Sequence, residues 1–226
     1  MTPHDEFIAM NDKTINSIIK RWGFPKNNSF FNVKKAQIIK WFNNFTPSEL
    51  DNALELLKKV QFKTDHEIRG LINSASKELK KIFYNDLTKV LFFPLGLSSA
   101  SSGSMYLYNY RKELEPELDE KNFIQDNFKK YLHEKINIVF FDDMIGSGNQ
   151  AVRFYKNHLQ KTVATCYYIA LFGFDRGIKK IQKEARFEMV FACKTLSDEE
   201  MAFSDVSYVF KDPAQRAEIK ALCEKY

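Results

Sequence analysis

Residues 137 to 150, Asn-Ile-Val-Phe-Phe-Asp-Asp-Met-Ile-Gly-Ser-Gly-Asn-Gln, constrain this chain more than any other stretch. Ile138 to Phe141 make a short apolar run of strand type. Asp142 and Asp143 stand where that strand should end. Gly146-Ser147-Gly148 follow as a tight turn of small residues, and Asn149 to Gln160 reads as a helix. A strand that runs through acids and a glycine turn into a helix belongs to an open α/β sheet.

The surrounding sequence repeats that grammar. Val90-Leu91-Phe92-Phe93 is an apolar run stopped by Pro94, followed by a loop of small residues from Leu95 to Ser104. Met105 to Arg111 resumes helical character, and the charged stretch 114–136 is predicted helical, with Phe123, Ile124, Phe128 and Leu132 on its apolar face. Thr162 to Phe172 is a third strand, Asp175 to Arg186 a helix, Phe187 to Cys193 a fourth strand, and Val206 to Phe210 a fifth. Asp212-Pro213 opens a final helix, with Asp as N-cap and Pro at the first position. Strands alternating with helices predict a mainly parallel sheet with helices on both faces.

The first third is helical instead. Thr46-Pro47-Ser48-Glu49 is a helix start with a capping box, and Leu50, Ala53, Leu54, Leu57 and Val60 keep helical spacing after it. A second start at Thr64 leads into a stripe from Ile68 to Phe83, predicting a helix to about Tyr84. Another helix covers 33–43. The break in composition near residue 85 divides the chain into a helical N-terminal region, 1–85, and an α/β domain, 86–226.

Composition narrows the classes. Of 226 residues, 44% are hydrophobic, enough for an ordinary core. The net charge of +5 is spread along the chain, so no nucleic-acid tail is indicated. Cys166, Cys193 and Cys223 are too few and too far apart for a disulfide framework or a zinc site, and read as free thiols in a reducing cytoplasm. The first ten residues lack a signal-peptide core, and no run reaches the ~18 apolar residues of a membrane span. His4, His66, His133 and His158 are scattered, so no nucleophile and base pair by spacing. Gly146 to Gly148 lack the Lys-Ser/Thr of a P-loop, and Gly96 to Gly103 miss the dinucleotide spacing.

The loops at Pro94–Ser104 and Asp142–Asn149 both follow strand ends, where open sheets bind ligands. Small residues let phosphate oxygens reach backbone N–H groups, and a helix N-terminus adds partial positive charge. The acids can accept hydrogen bonds from neighbouring ribose hydroxyls. One loop for a pyrophosphate and one for a ribose 5-phosphate would together hold an activated phosphoribosyl group.

The stretch Ile138 to Asn149 resembles the phosphoribosyl-pyrophosphate motif of the type I phosphoribosyltransferases: four hydrophobic residues, two acids, two variable residues and a small turn. With Gly-Ser-Gly-Asn at its end, it resembles the divergent phosphoribosyltransferase-like proteins of bacterial conflict and antiviral-defence loci. Those share a helical N-terminal segment with a Trp-Phe element, here Trp41-Phe42, and a loop such as Pro94-Leu95-Gly96 with Ser102-Gly103. The resemblance spans about residues 35 to 210. It implies that Asp142 and Asp143 bind ribose hydroxyls and help hold Mg²⁺. It implies that Ile145, Gly146, Ser147, Gly148 and Asn149 wrap the 5-phosphate. Ser98, Ser99, Ser101, Ser102, Gly103 and Ser104 would form the pyrophosphate loop. The activity implied is a glycosyltransferase reaction: transfer of phosphoribosyl from phosphoribosyl pyrophosphate, or use of a related nucleotide, with an unknown acceptor.

The chain departs from that family in two places. The family's mobile loop comes from a β-hairpin before the motif strand, and residues 112 to 136 read as charged helix instead. The base-binding hood is not recognisable. A non-catalytic nucleotide sensor or effector subunit, docking a protein partner through its N-terminal helices, therefore stands beside the enzyme. So does a structural protein with a decayed pocket.

Overall fold

The computed structural model describes residues 1–22, 33–84, 86–96, 102–114, 118, 120–123 and 127–226. Helices α1 Pro3–Met10, α2 Asp12–Arg21, α3 Lys35–Phe42, α4 Leu50–Lys59 and α5 Asp65–Ile82 come first. Strand β1 Val90–Pro94 and helix α6 Ser102–Leu114 follow, then β2 Asn137–Ile145, α7 Asn149–Phe154 and β3 Thr165–Phe174. Helix α8 Asp175–Glu184, β4 Met189–Leu196 and α9 Pro213–Lys225 complete the order.

Packing groups these elements into two units, 1–64 with 199–226, and 65–198. The break at residue 85 thus does not coincide with the packing. Helix α5 joins the sheet because its apolar stripe, Ile72, Ala75 and Leu79, is buried against strand residues. Helix α9 belongs with the N-terminal helices, its Leu222 entering their core.

The first unit is a helical cluster around Ile15, Ile18, Ile38, Phe42, Leu54 and Leu57. The capping box at Thr46 forms as its sequence predicts. The Thr46 amide donates to Glu49 Oε2 at 2.8 Å, and a 3-10 turn Pro47–Glu49 leads into α4. Phe42 is fully buried, with Trp41 packed edge-on against it at 5.1 Å. Asp212 caps α9, its Oδ1 accepting from the Gln215 amide at 2.9 Å.

The second unit is built on a parallel sheet in the order β1-β2-β3-β4. Alternate residues of the middle strands feed two cores. Ile138 and Phe140 of β2 and Cys166 and Tyr168 of β3 point toward α7 and α8, among Val152, Phe154 and Ile181. Val139 and Phe141, with Tyr167, Ile169 and Leu171, point toward α5 and α6, among Leu79, Leu107 and Tyr110. Burial on both faces explains why these strands read as continuous apolar runs and not as alternating ones.

Phe123 bridges Phe92 in parallel, on the side of β1 away from β2, with the two rings stacked at 4.9 Å. The chain after β1 therefore passes α6 on one face and reaches that outer side. The chain after β2 passes α7 on the opposite face and reaches β3 on the other side. Opposite directions over opposite faces give one hand of crossover, as the handedness rule requires. The connections diverge between β1 and β2, and that divergence is a topological switch point.

Five expectations are corrected. Among the described residues of 114–136, no α-helix follows Leu114. Phe123 joins one core while Phe128 and Leu132 join the other, so no single helix face could serve them. Asn127, at φ 59°, starts a 3-10 turn Phe128–Tyr131 instead. The small-residue loop ends sooner than expected, because α6 already begins at Ser102. Strand β2 does not stop at the acids but runs to Ile145, with Asp142, Met144 and Ile145 paired to β3. Val206 to Phe210 is no strand: Ser207 is buried and its Oγ accepts from the Val209 amide at 3.1 Å, which closes a turn. The helix expected over 149–160 divides into α7 and a π-helical turn Tyr155–Leu159.

Asn122 stands in for a strand partner at the outer edge of β1. Its buried amide donates to the carbonyls of Thr88 at 3.0 Å and Val90 at 2.8 Å. Asn122→Ala would leave the buried Val90 carbonyl unpaired. The expected outcome in urea unfolding is a loss of about 2 kcal/mol.

Candidate functional site

The switch point leaves a step in the sheet. Strand β1 ends at Pro94, opposite Phe141, and the Leu95 amide closes that ladder by donating to the Phe141 carbonyl at 2.6 Å. On its other edge β2 stays paired, Asp142 to Ala170, Met144 to Phe172 and Ile145 to Gly173. The two acids thus lie where β2 has lost one neighbour and kept the other.

Asp142 is 5% exposed. Its Oδ2 accepts from the Tyr168 hydroxyl at 3.0 Å, and its Oδ1 from the Asp143 amide at 3.0 Å. Burial pushes its carboxyl up to about 7, and the neighbouring Asp143 carboxylate adds to the rise. The two hydrogen bonds pull the other way and do not offset it. Burial, then the Asp142 charge, raises the Tyr168 hydroxyl well above the ordinary tyrosine range, so it remains a donor.

Asp142 and Tyr168 line a pocket of about 170 Å³ together with Met144, Ile145, Gly146, Ser147, Gly148, Gln150 and Ala151. At ~30 Å³ per water, this space admits a phosphate-sized group and part of a sugar. The loop is shaped by its glycines. Gly148 adopts φ +78° as the residue before α7, and a Cβ there would meet the Gly177 carbonyl at 2.6 Å. A Cβ at Gly177, in the first turn of α8, would meet the Gly146 carbonyl at 2.1 Å. Helix α8 therefore reaches the loop backbone directly. The Asn149 amide donates to Ser147 Oγ at 3.5 Å, and the next amides in the first turn of α7 precede its hydrogen-bonding ladder. Lys180 of α8 donates to Asn149 Oδ1 at 2.6 Å, placing a positive charge beside the loop.

Of the sequence-predicted residues, Asp142, Ile145, Gly146, Ser147 and Gly148 line one pocket. Asp143 is half-buried next to it, and Asn149 is exposed at the start of α7. Ser102, Gly103 and Ser104 form the first turn of α6. Tyr110 of α6 stacks on Phe141 at 3.8 Å, and α6 runs back along the sheet, so its first turn lies beyond Phe141 toward the acids' end. Ser98, Ser99 and Ser101 lie outside the described residues.

Sequence reading missed Tyr168, Gly177 and Lys180. Tyr168 sat within an apolar strand, and Lys180 within the charged helix 175–186. Gly177, a lone glycine near a helix start, was the available signal.

Among the described residues, no group of three acidic, His or Cys side chains could hold a metal. Two adjacent carboxylates are too few for a resident ion. They suit a Mg²⁺ that arrives on substrate oxygens, which needs one or two carboxylates from the protein.

The family model described as PRTase-CE matches residues 38–226. No curated protein sequence matches significantly. Solved structures with similar folds include adenine phosphoribosyltransferase from Saccharomyces cerevisiae, at 16% identity and TM-score 0.39, over 57% of this chain and 80% of that one. Orotate phosphoribosyltransferase from Francisella tularensis is 17% identical at TM-score 0.39, over 73% of this chain and 79% of that one. Hypoxanthine-guanine phosphoribosyltransferase from Schistosoma mansoni is 11% identical at TM-score 0.39, over 58% and 63%.

Two outcomes follow from this geometry. Between the ordinary aspartate value of 3.8 and about 7, only the folded state holds the Asp142 proton. Unfolding then releases it, so stability falls as pH rises through that window. Comparing denaturant unfolding at pH 5 and pH 8, the native protein should lose on the order of a few kcal/mol more than Asp142→Asn. Equal losses would refute the buried proton. Gly177→Ala should displace the loop, lowering Tm by several degrees while far-UV circular dichroism keeps the sheet signal.

Proposed function

The chain belongs to the PRTase-CE family, and from that premise we propose that the Asp142 pocket binds the ribose 5-phosphate end of phosphoribosyl pyrophosphate or a related nucleotide. The observation that carries this reading is the junction of a buried carboxyl, Asp142, and a glycine loop, Gly146–Gly148, in one pocket at a sheet switch point. Hydrogen-bond acceptors and backbone donors side by side match a ligand with hydroxyl groups on one side and an anion on the other.

In this reading Asp142 and Asp143 accept from the ribose hydroxyls, and Ile145 to Asn149 surround the 5-phosphate, with Ser147 offering its hydroxyl. Lys180 adds charge through Asn149. Asp142 and Asp143 are the residues that would hold Mg²⁺, which when bound neutralises charge on the diphosphate. The turn at the start of α6, with the segment before it, takes the pyrophosphate. Pyrophosphate leaves the anomeric carbon, and an acceptor nucleophile attacks there, through a transition state of oxocarbenium character. Fixing both ends of the sugar phosphate supplies the catalysis by positioning and charge neutralisation.

A second reading is a nucleotide-sensing or effector subunit with the same pocket and no turnover. Among the described residues, the segment between α6 and β2 holds 3-10 turns and one bridge, and no hairpin of the kind that supplies a mobile active-site loop. A partner docking on the N-terminal helices and a role in bacterial antiviral defence belong to this reading, and both rest on the resemblance in sequence. The three free cysteines suit a cytoplasmic setting, and no helix among the described residues is long and apolar enough to cross a membrane.

Calorimetric titration with phosphoribosyl pyrophosphate and Mg²⁺ tests the pocket. Asp142→Asn with Asp143→Asn should weaken binding about 100-fold, because charge-assisted hydrogen bonds are lost, with the fold intact. Unchanged affinity would remove the ribose assignment. Pyrophosphate release with a panel of bases separates the enzyme from the sensor.

A further inference from the structure

Resting on the ribose 5-phosphate reading, we propose that Tyr168 is a positioning residue, whose hydroxyl holds the Asp142 carboxyl in the one orientation that presents its remaining lone pairs to a ligand's sugar hydroxyls. Tyr168 lies on β3, where it pairs with Phe140, while Asp142 pairs with Ala170. The two side chains are therefore diagonal neighbours on one face of the sheet, within reach of a long side chain. Tyr168 reaches along that diagonal to the end of the sheet and donates to Asp142 Oδ2 at 3.0 Å.

The tyrosine is well placed to hold another group still. It is 2% exposed, and its ring packs on Phe187 at 5.5 Å. Tyrosine has few torsions, so burial of the ring fixes where its oxygen lies. The ionised carboxyl offers about four acceptor sites. The Tyr168 hydroxyl takes one on Oδ2 and the Asp143 amide takes one on Oδ1. One site on each oxygen remains, and the two bonds together set where those sites point. Without Tyr168 the carboxyl is held on one oxygen only and can rotate about its bond to Cβ.

Both residues line the pocket, so the hydrogen bond between them belongs to the pocket wall. The loop Gly146–Gly148 lines the same pocket, and the Tyr168 hydroxyl donates to Asp142 and not to that loop. A positioning role for Tyr168 must therefore act on the sugar end of a ligand and spare its phosphate end.

Isothermal titration with ribose 5-phosphate and, separately, with inorganic phosphate reads these ends apart. Tyr168→Phe keeps the ring and removes only the hydroxyl. We expect about tenfold weaker ribose 5-phosphate binding and phosphate binding changed by less than about twofold. In the Asp142→Asn background, Tyr168→Phe should produce no further loss, since the group it aims is altered. Equal weakening of both ligands would show damage to the loop and overturn the proposal. So would an unaffected variant, or a loss that persists undiminished with Asp142→Asn. Native protein that binds phosphate but not ribose 5-phosphate, or binds neither, overturns the underlying ribose reading and this inference with it. Native protein that binds both while Tyr168→Phe matches it overturns this inference alone.

Discussion

Burial of β2 on both faces is the constraint from which the rest of this structure follows. Ile138 to Phe141 have helices over them on either side, and each of the four is fully buried. A strand enclosed in this way can offer chemistry only past the point where its cover ends. That point is Asp142, where β1 has stopped and β3 continues. A carboxyl there is buried at the end of an apolar sheet, and burial raises its proton affinity until it is poised near neutrality. Its two hydrogen bonds, from Tyr168 and from the Asp143 amide, meet the requirement that a buried polar group be paired.

The second half of the site obeys a different rule. The loop Gly146–Gly148 is held by backbone against backbone. The carbonyls of Gly146 and Gly177 each occupy the space that a Cβ on the facing glycine would need. Close approach of α8 leaves the loop little freedom and brings Lys180 to Asn149. A preformed loop spends less binding free energy on ordering when a ligand arrives. One wall of the pocket is thus fixed by side-chain hydrogen bonds and the other by glycine packing.

Much of this was legible before any coordinates. The strand, the acids and the glycine turn are contiguous in sequence, so their order alone places them at one sheet edge. The capping box at Thr46 and the Asp212-Pro213 start are local signals, and both form as read. What stayed hidden depends on contacts distant in sequence. Tyr168 is 26 residues from Asp142, and nothing in an apolar strand marks one hydroxyl as a partner. The 114–136 stretch carried apolar residues at helical spacing, yet the chain sends Phe123 to one core and Phe128 to the other. Periodicity reports that residues are buried, and it cannot say on which side of a sheet. Val206 to Phe210 failed for the opposite reason, because Val206 is 62% exposed and Phe210 is the one buried apolar residue. Gly177 was visible only as a glycine out of place near a helix start.

The first unit builds a core of its own from Phe42, Leu54, Leu57 and Leu222. Its Trp41-Phe42 element is part of that packing, which gives the pair a structural use apart from any partner. The central claim concerns the second unit: the carboxyl at the step and the glycine loop are two ends of one ligand site. Amide chemical shifts followed by nuclear magnetic resonance, as ribose 5-phosphate is added to the full chain, test this most directly. The expected result is a set of saturable shifts at Asp143 and Gly146 to Asn149 that titrate together with one dissociation constant. Shifts that spare the loop and Asp143, or that titrate with separate constants at the two ends, would contradict the account.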